Sequence, residues 1–85
     1  MNIYLHQKFL KGYNKLTQNQ KEKFKERRNL FLKDEFDPVL NNHGLKGRWL
    51  GYRSINVTGD IRAIFKRDTE GALFVAIGSH SNLYG

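Results

Sequence analysis

The chain has 85 residues and no cysteine, which leaves room for one domain, residues 1–85, and excludes disulfides and thiolate metal sites. Fifteen Lys/Arg against eight Asp/Glu give a formal net charge of +7, and aromatic residues make up 13%; such a surface attracts polyanions, and exposed rings can stack on unpaired bases. No stretch reaches the ~20 apolar residues that a membrane span needs, and Met1–Lys8 lacks the apolar run of a signal peptide, so the sequence reads as a soluble, cytoplasmic protein with no membrane partner.

In chain order, Ile3–Leu5 reads as a short strand. From Gln7 onward Phe9, Leu10, Tyr13 and Leu16 recur at helical spacing and share one face. Thr17 or Asn19 is placed to cap a second helix running to about Lys33, with Phe24, Leu30, Phe31 and Phe36 as its apolar stripe. Glu22 and Glu26 stand among its lysines, so ion pairs one turn apart are available. The plain reading of this basic run is a solvated helix face.

Pro38 and Asn41-Asn42 close the helical half. The following segment, His43 to Gly51, holds Gly44, Gly47 and Gly51 and predicts a loop of tight turns. Three strands follow: Tyr52–Val57, Ile61–Arg67 and Ala72–Ser79, separated by turns at Thr58-Gly59-Asp60 and Asp68-Thr69-Glu70-Gly71. The third is almost wholly apolar, which predicts a central strand covered on both faces. Short connections favour antiparallel neighbours. The expected class is therefore α+β: a short N-terminal strand, two helices, then a three-stranded antiparallel meander, with the helices on one face of a curved sheet.

In such a meander Asp60, opening the second strand, and His80, closing the third, fall at the same end of the sheet. Loop residue His43 is within reach of that end. Two imidazoles, a carboxylate and nearby arginines suit RNA cleavage without a metal. The reaction needs a base for the ribose 2′-OH, an acid for the departing 5′-oxygen, and cations for the charge developing on phosphorus. A free histidine, with a pKa near ~6.5, serves either proton-transfer role near neutrality, and arginine matches phosphate oxygens with a planar fork. Each residue also has a duller explanation. His43 and Asp60 suit turns, His80 suits a strand end, and Arg48 and Arg53 suit a solvated surface. Trp49 and Tyr52 suit packing, and Tyr84 suits pinning of the tail. His6 has no evident partner, and no close pair such as His-x-x-x-His suggests a metal site.

Read as a string, His43-Gly44-Leu45-Lys46-Gly47-Arg48-Trp49-Leu50-Gly51-Tyr52-Arg53 resembles the H-x-L-x-G-x-W-x-G-x-R segment of the YafQ branch of RelE/ParE-superfamily toxins. Gly78-Ser79-His80-Ser81-Asn82-Leu83-Tyr84-Gly85 is similar to that family's G-[ST]-H-x-x-L-[FY] tail. The resemblance spans Asn42 to Gly85; the helical half agrees in architecture only. It implies a RelE-like fold and cofactor-free, metal-independent cleavage of mRNA, commonly in the A site of the translating ribosome. It also implies neutralisation by a cognate antitoxin. By position, His43, Asp60 and His80 match the branch's catalytic residues and Tyr84 its C-terminal aromatic. His80 is then the acid, and Asp60 or His43 the base. Lys46, Arg48, Arg53 and Arg62 are candidates to hold the phosphate on charge chemistry. Two positions depart from the family: Asn56 stands where YafQ-like proteins carry a histidine, and Ser54 where they carry an acid. Asparagine hydrogen-bonds but does not titrate. Two other readings stay open at this point: a ParE-like inhibitor of DNA gyrase, which needs no such trio, and an RNA-binding domain without chemistry.

Overall fold

The computed structural model describes residues 1–84, in the order β1 (Asn2–Leu5), α1 (Gln7–Asn14), α2 (Gln18–Lys33), a 3-10 turn (Pro38–Leu40), β2 (His43–Gly44), a second 3-10 turn (Gly47–Trp49), β3 (Arg53–Asn56), β4 (Ile61–Arg67), β5 (Gly71–Ser79) and α3 (His80–Tyr84). The sheet has five strands in the order β1-β5-β4-β3-β2. The meander β3-β4-β5 is antiparallel. Two strands lie outside the meander. β1 adds in parallel beside β5. Residues of the predicted glycine loop form β2, pairing His43 with Ser54 and Gly44 with Arg53. The first meander strand is shorter than expected, Arg53–Asn56, and the tail after Ser79 turns into a helix.

Local chemistry explains the helix limits. His6 caps α1, its Nδ1 accepting from the Lys8 N–H at 3.0 Å. Thr17 caps α2 in a capping box: its Oγ1 accepts from the Gln20 N–H, and Gln20 Oε1 accepts from the Thr17 N–H. The Glu22/Glu26 spacing yields one exposed pair, Lys23–Glu26 at 3.7 Å, one residue short of a full i,i+4 step. Asp37 starts the 3-10 turn by accepting from the Val39 N–H at 2.9 Å. Asn41 adopts φ +47°, a left-handed conformation that asparagine tolerates better than most residues, and this reverses the chain into β2.

The core lies between α1, α2 and one face of the sheet. Phe74 of β5 packs its ring against Phe9 (α1), Phe24 and Phe31 (α2) and Phe65 (β4), with centroids 5.0 to 5.9 Å apart. Such tilted and offset aromatic pairs add to the area they bury. Gly12 allows α1 to approach this closely: a Cβ there would lie 2.5 Å from the Ile77 carbonyl oxygen. Phe36 does not belong to the α2 stripe; it lies past the helix end and is 62% exposed.

β5 is internal, between β1 and β4, but its cover is uneven: Ala72, Phe74 and Ile77 are buried, while Leu73, Val75 and Ala76 are only half-buried. A bulge explains the spacing. Ile64 pairs with Ala76 and Phe65 with Phe74, which leaves Val75 without a cross-strand partner. The extra residue lets both Phe74 and Ile77 face the helices. The opposite face, carrying Ser54 and Asn56 of β3 and Arg62 and Ile64 of β4, is the one that α3 and the glycine segment reach.

Candidate active site

That second face holds a cleft of about 340 Å³. Its lining comes from several elements: Asn41, His43 and Leu45 from the segment around β2, Ser54 from β3, Arg62 from β4, and His80 and Tyr84 from α3. Three short devices aim these side chains. The left-handed turn at Asn41 sets His43 opposite Ser54. The β4 register places Arg62 opposite both Asn56 and Gly78. The helical turn after Ser79 brings the His80 and Tyr84 rings together, tilted by 52° with centroids 4.6 Å apart.

The hydrogen bonds define what each group has left to offer. His43 Nδ1 lies 2.8 Å from the Asn41 carbonyl oxygen. A carbonyl only accepts, so Nδ1 carries the proton and the neutral ring keeps a free lone pair on Nε2. Arg62 Nη1 donates to the carbonyls of Thr58, Gly59 and Ile61 at 2.9 to 3.3 Å. Among the described residues nothing accepts from its Nε or Nη2. The guanidinium is thus anchored at one corner and open at the others. Both imidazoles are exposed, and no carboxylate lines the cleft among the described residues.

Asp60 lies elsewhere. Its main chain meets His80, whose N–H donates to the Asp60 carbonyl oxygen at 3.2 Å. The residue lines a second, larger cleft of about 620 Å³ beside Lys15, Gln20, Ser79 and Asn82. That cleft contains no imidazole, so size does not decide the site; the proton-transfer groups do. The remaining basic candidates divide in the same way. Arg48 Nη2 and Trp49 Nε1 both donate to the Leu83 carbonyl oxygen, at 2.6 and 3.1 Å, and tie the glycine segment to α3. Arg53 Nε donates to Asn42 Oδ1 at 2.8 Å, and its guanidinium lies over the Phe36 ring; it braces the turn before β2 and does not line the cleft. Lys46 is exposed at the start of the second 3-10 turn.

His6 acts as a helix cap. Asn41 and Leu45 line the cleft without having been singled out as site residues. The Asn41-Asn42 pair after Pro38 hinted at a reversal but not at what the reversal presents. Among the described residues, no three His, Asp or Glu side chains cluster as metal ligands, and no helix is long and apolar enough to cross a membrane.

Helices on one face of a mixed sheet, with a cleft of histidine, arginine and tyrosine on the other, place the chain in the RelE/YoeB-like fold. The chain belongs to the family described as bacterial toxin of type II toxin-antitoxin system, YafQ, which it matches over residues 1–85. The crystal structure of YafQ from E. coli strain BL21(DE3) superposes with a TM-score of 0.84 at 25% identity, covering 99% of this chain and 98% of that one. YafQ in the E. coli DinJ-YafQ toxin-antitoxin complex superposes at 0.81 with 26% identity, over 99% of this chain and 97% of that one. A chain of the YoeB-YefM complex from Staphylococcus aureus shares the fold at 15% identity, with a TM-score of 0.75 over 94% and 97% of the two chains. No curated protein matches the chain significantly.

Proposed function

We propose that this toxin is an endoribonuclease that cuts mRNA on the translating ribosome, without a metal ion, and so inhibits translation. The observation that carries this is the convergence of His43, Arg62, His80 and Tyr84 on one open cleft. His43 Nε2 takes the proton of a ribose 2′-OH. The 2′-oxygen bonds to phosphorus while the bond to the 5′-oxygen breaks, and protonated His80 returns a proton to that oxygen. The products are a 2′,3′-cyclic phosphate and a 5′-hydroxyl. Arg62 offers its free donors to the phosphate as charge builds on it. The Tyr84 ring lies against His80, tilted by 52°, where its contact limits how the imidazole can turn. Of the two candidate bases, His43 is favoured because it shares the cleft with His80; the Asp60 carboxylate does not. Lys46 and Arg48 extend the positive surface along which the RNA backbone lies.

The partner is a cognate antitoxin. Its warrant is the family and the toxin-antitoxin complexes of related folds, and the net charge of +7 favours an acidic segment that folds on contact.

The test is cleavage of a defined mRNA, with and without ribosomes and in excess EDTA, with the product ends mapped. Cutting that survives EDTA and leaves cyclic phosphate is expected. His80→Gln should lose cutting by about 10²–10⁴-fold while RNA binding persists. Inhibition of DNA gyrase with intact RNA would overturn the proposal, as would RNA binding by the wild type without any scission.

A further inference from the structure

Ser54 is buried to 1% exposure on β3, yet its Oγ has no hydrogen-bond partner among the described residues. Asn56 Oδ1, two residues along on the same sheet face, is buried and unpaired as well. A buried hydroxyl without a partner lowers stability, and native proteins rarely keep one without cause. An alanine would fill the same place with nothing left unsatisfied. The position supplies a cause. Ser54 lines the cleft directly across the ladder from His43, while Leu45 and the Tyr84 ring provide apolar wall.

We propose that Ser54 is a specificity-determining residue, whose hydroxyl hydrogen-bonds to the edge of one nucleobase inserted into the cleft. This rests on the ribonuclease reading above. The charged phosphate belongs with Arg62 and the two imidazoles. What reaches the floor is flat and mostly apolar, with polar atoms at its edge. A pocket of apolar walls with one placed polar group fixes orientation and selects its ligand. A site built to hydrogen-bond one group discriminates strongly against ligands lacking it, because its own polar atom then stays unpaired.

The experiment compares wild type, Ser54→Ala and Ser54→Cys on short RNAs that vary one nucleotide at a time around the cut. Rates are read with thermal unfolding alongside. In Ser54→Ala, kcat/KM on the preferred RNA should fall at least about tenfold, and the preference at one position should flatten. The unfolding temperature should hold or rise, because the orphaned hydroxyl is gone. Ser54→Cys, with a weaker donor of similar volume, should fall between the two. An unchanged preference profile in Ser54→Ala overturns the inference while leaving the ribonuclease reading intact. Lower stability with uniformly reduced rates also overturns it, by making Ser54 structural. A wild type that cuts no RNA overturns both.

Discussion

Asp60 and His80 touch through the main chain yet line different clefts: the His80 N–H donates to the Asp60 carbonyl at 3.2 Å, while His80 borders the cleft that holds His43 and Asp60 borders the other. Asp60→Asn should therefore lower kcat by less than about tenfold, whereas His43→Gln and His80→Gln should each lose about 10²–10⁴-fold. Single-turnover cleavage of one RNA by the three variants decides the matter. A loss in Asp60→Asn equal to that in His80→Gln would return the base role to Asp60.

Arg48 and Trp49 converge on a single acceptor, the Leu83 carbonyl. Trp49→Phe removes one donor and should cost about 0.5–1.5 kcal/mol, since the other remains. The double variant Arg48→Ala/Trp49→Phe leaves that carbonyl without either donor. Its loss should exceed the sum of the single losses, a coupling that urea unfolding in a double-mutant cycle would read. Strict additivity would mean that the two bonds do not share the work of fixing α3.

Gly12 sits where helix and strand backbones nearly touch. Alanine is the better helix former by roughly 1 kcal/mol, yet here its Cβ would meet the Ile77 carbonyl oxygen at 2.5 Å, and backbone must move. Gly12→Ala should destabilise by roughly 1–3 kcal/mol. Thermal melts should show a drop of roughly 4–8 °C for each kcal/mol.

Asp68 holds the β4–β5 turn. Its Oδ1 accepts from the Gly71 and Glu70 N–H groups, and these bonds keep its carboxyl below the usual carboxylate range. A lowered folded-state value means that the charged form favours the fold. This contribution is fully present above the free carboxyl value near ~3.9 and fades as pH falls through the folded value. The stability gap between wild type and Asp68→Ala should thus stay level from about pH 5 to 7 and close in stronger acid. A gap that widens with acidification would contradict this.

The fold was largely legible because its signals are local. Phe9 and Tyr13 recur at helical spacing, Thr17 and Gln20 form a cap, and turns separate the meander strands. β2 was hidden because it is only two residues long, His43 and Gly44, and is defined by its partner strand, and β1's place beside β5 depends on a contact some seventy residues away. The bulge at Val75 was equally silent, since both of its phases are apolar. Of the residues that line the candidate cleft, His43, His80 and Tyr84 stand out in the sequence through their motif, and Arg62 through its charge. The separation of Asp60 does not, because a turn residue's side chain can leave on either side of the sheet edge. Ser54 registered only as a departure from a pattern; its burial without a partner is a property of the packed sheet.

The pairing of β1 with β5 binds residues Asn2–Leu5 to Gly71–Phe74, so the earlier strand has no partner until the later one has been made. Long-range pairing of this kind slows folding, because the entropy of closing the loop is lost before the contacts form. A nascent chain halted before residue 71 would lack both the docking strand for its N-terminus and the His80 helix. The topology thus ties the parallel edge of the sheet and the helix that carries His80 to one and the same late-arriving stretch of chain.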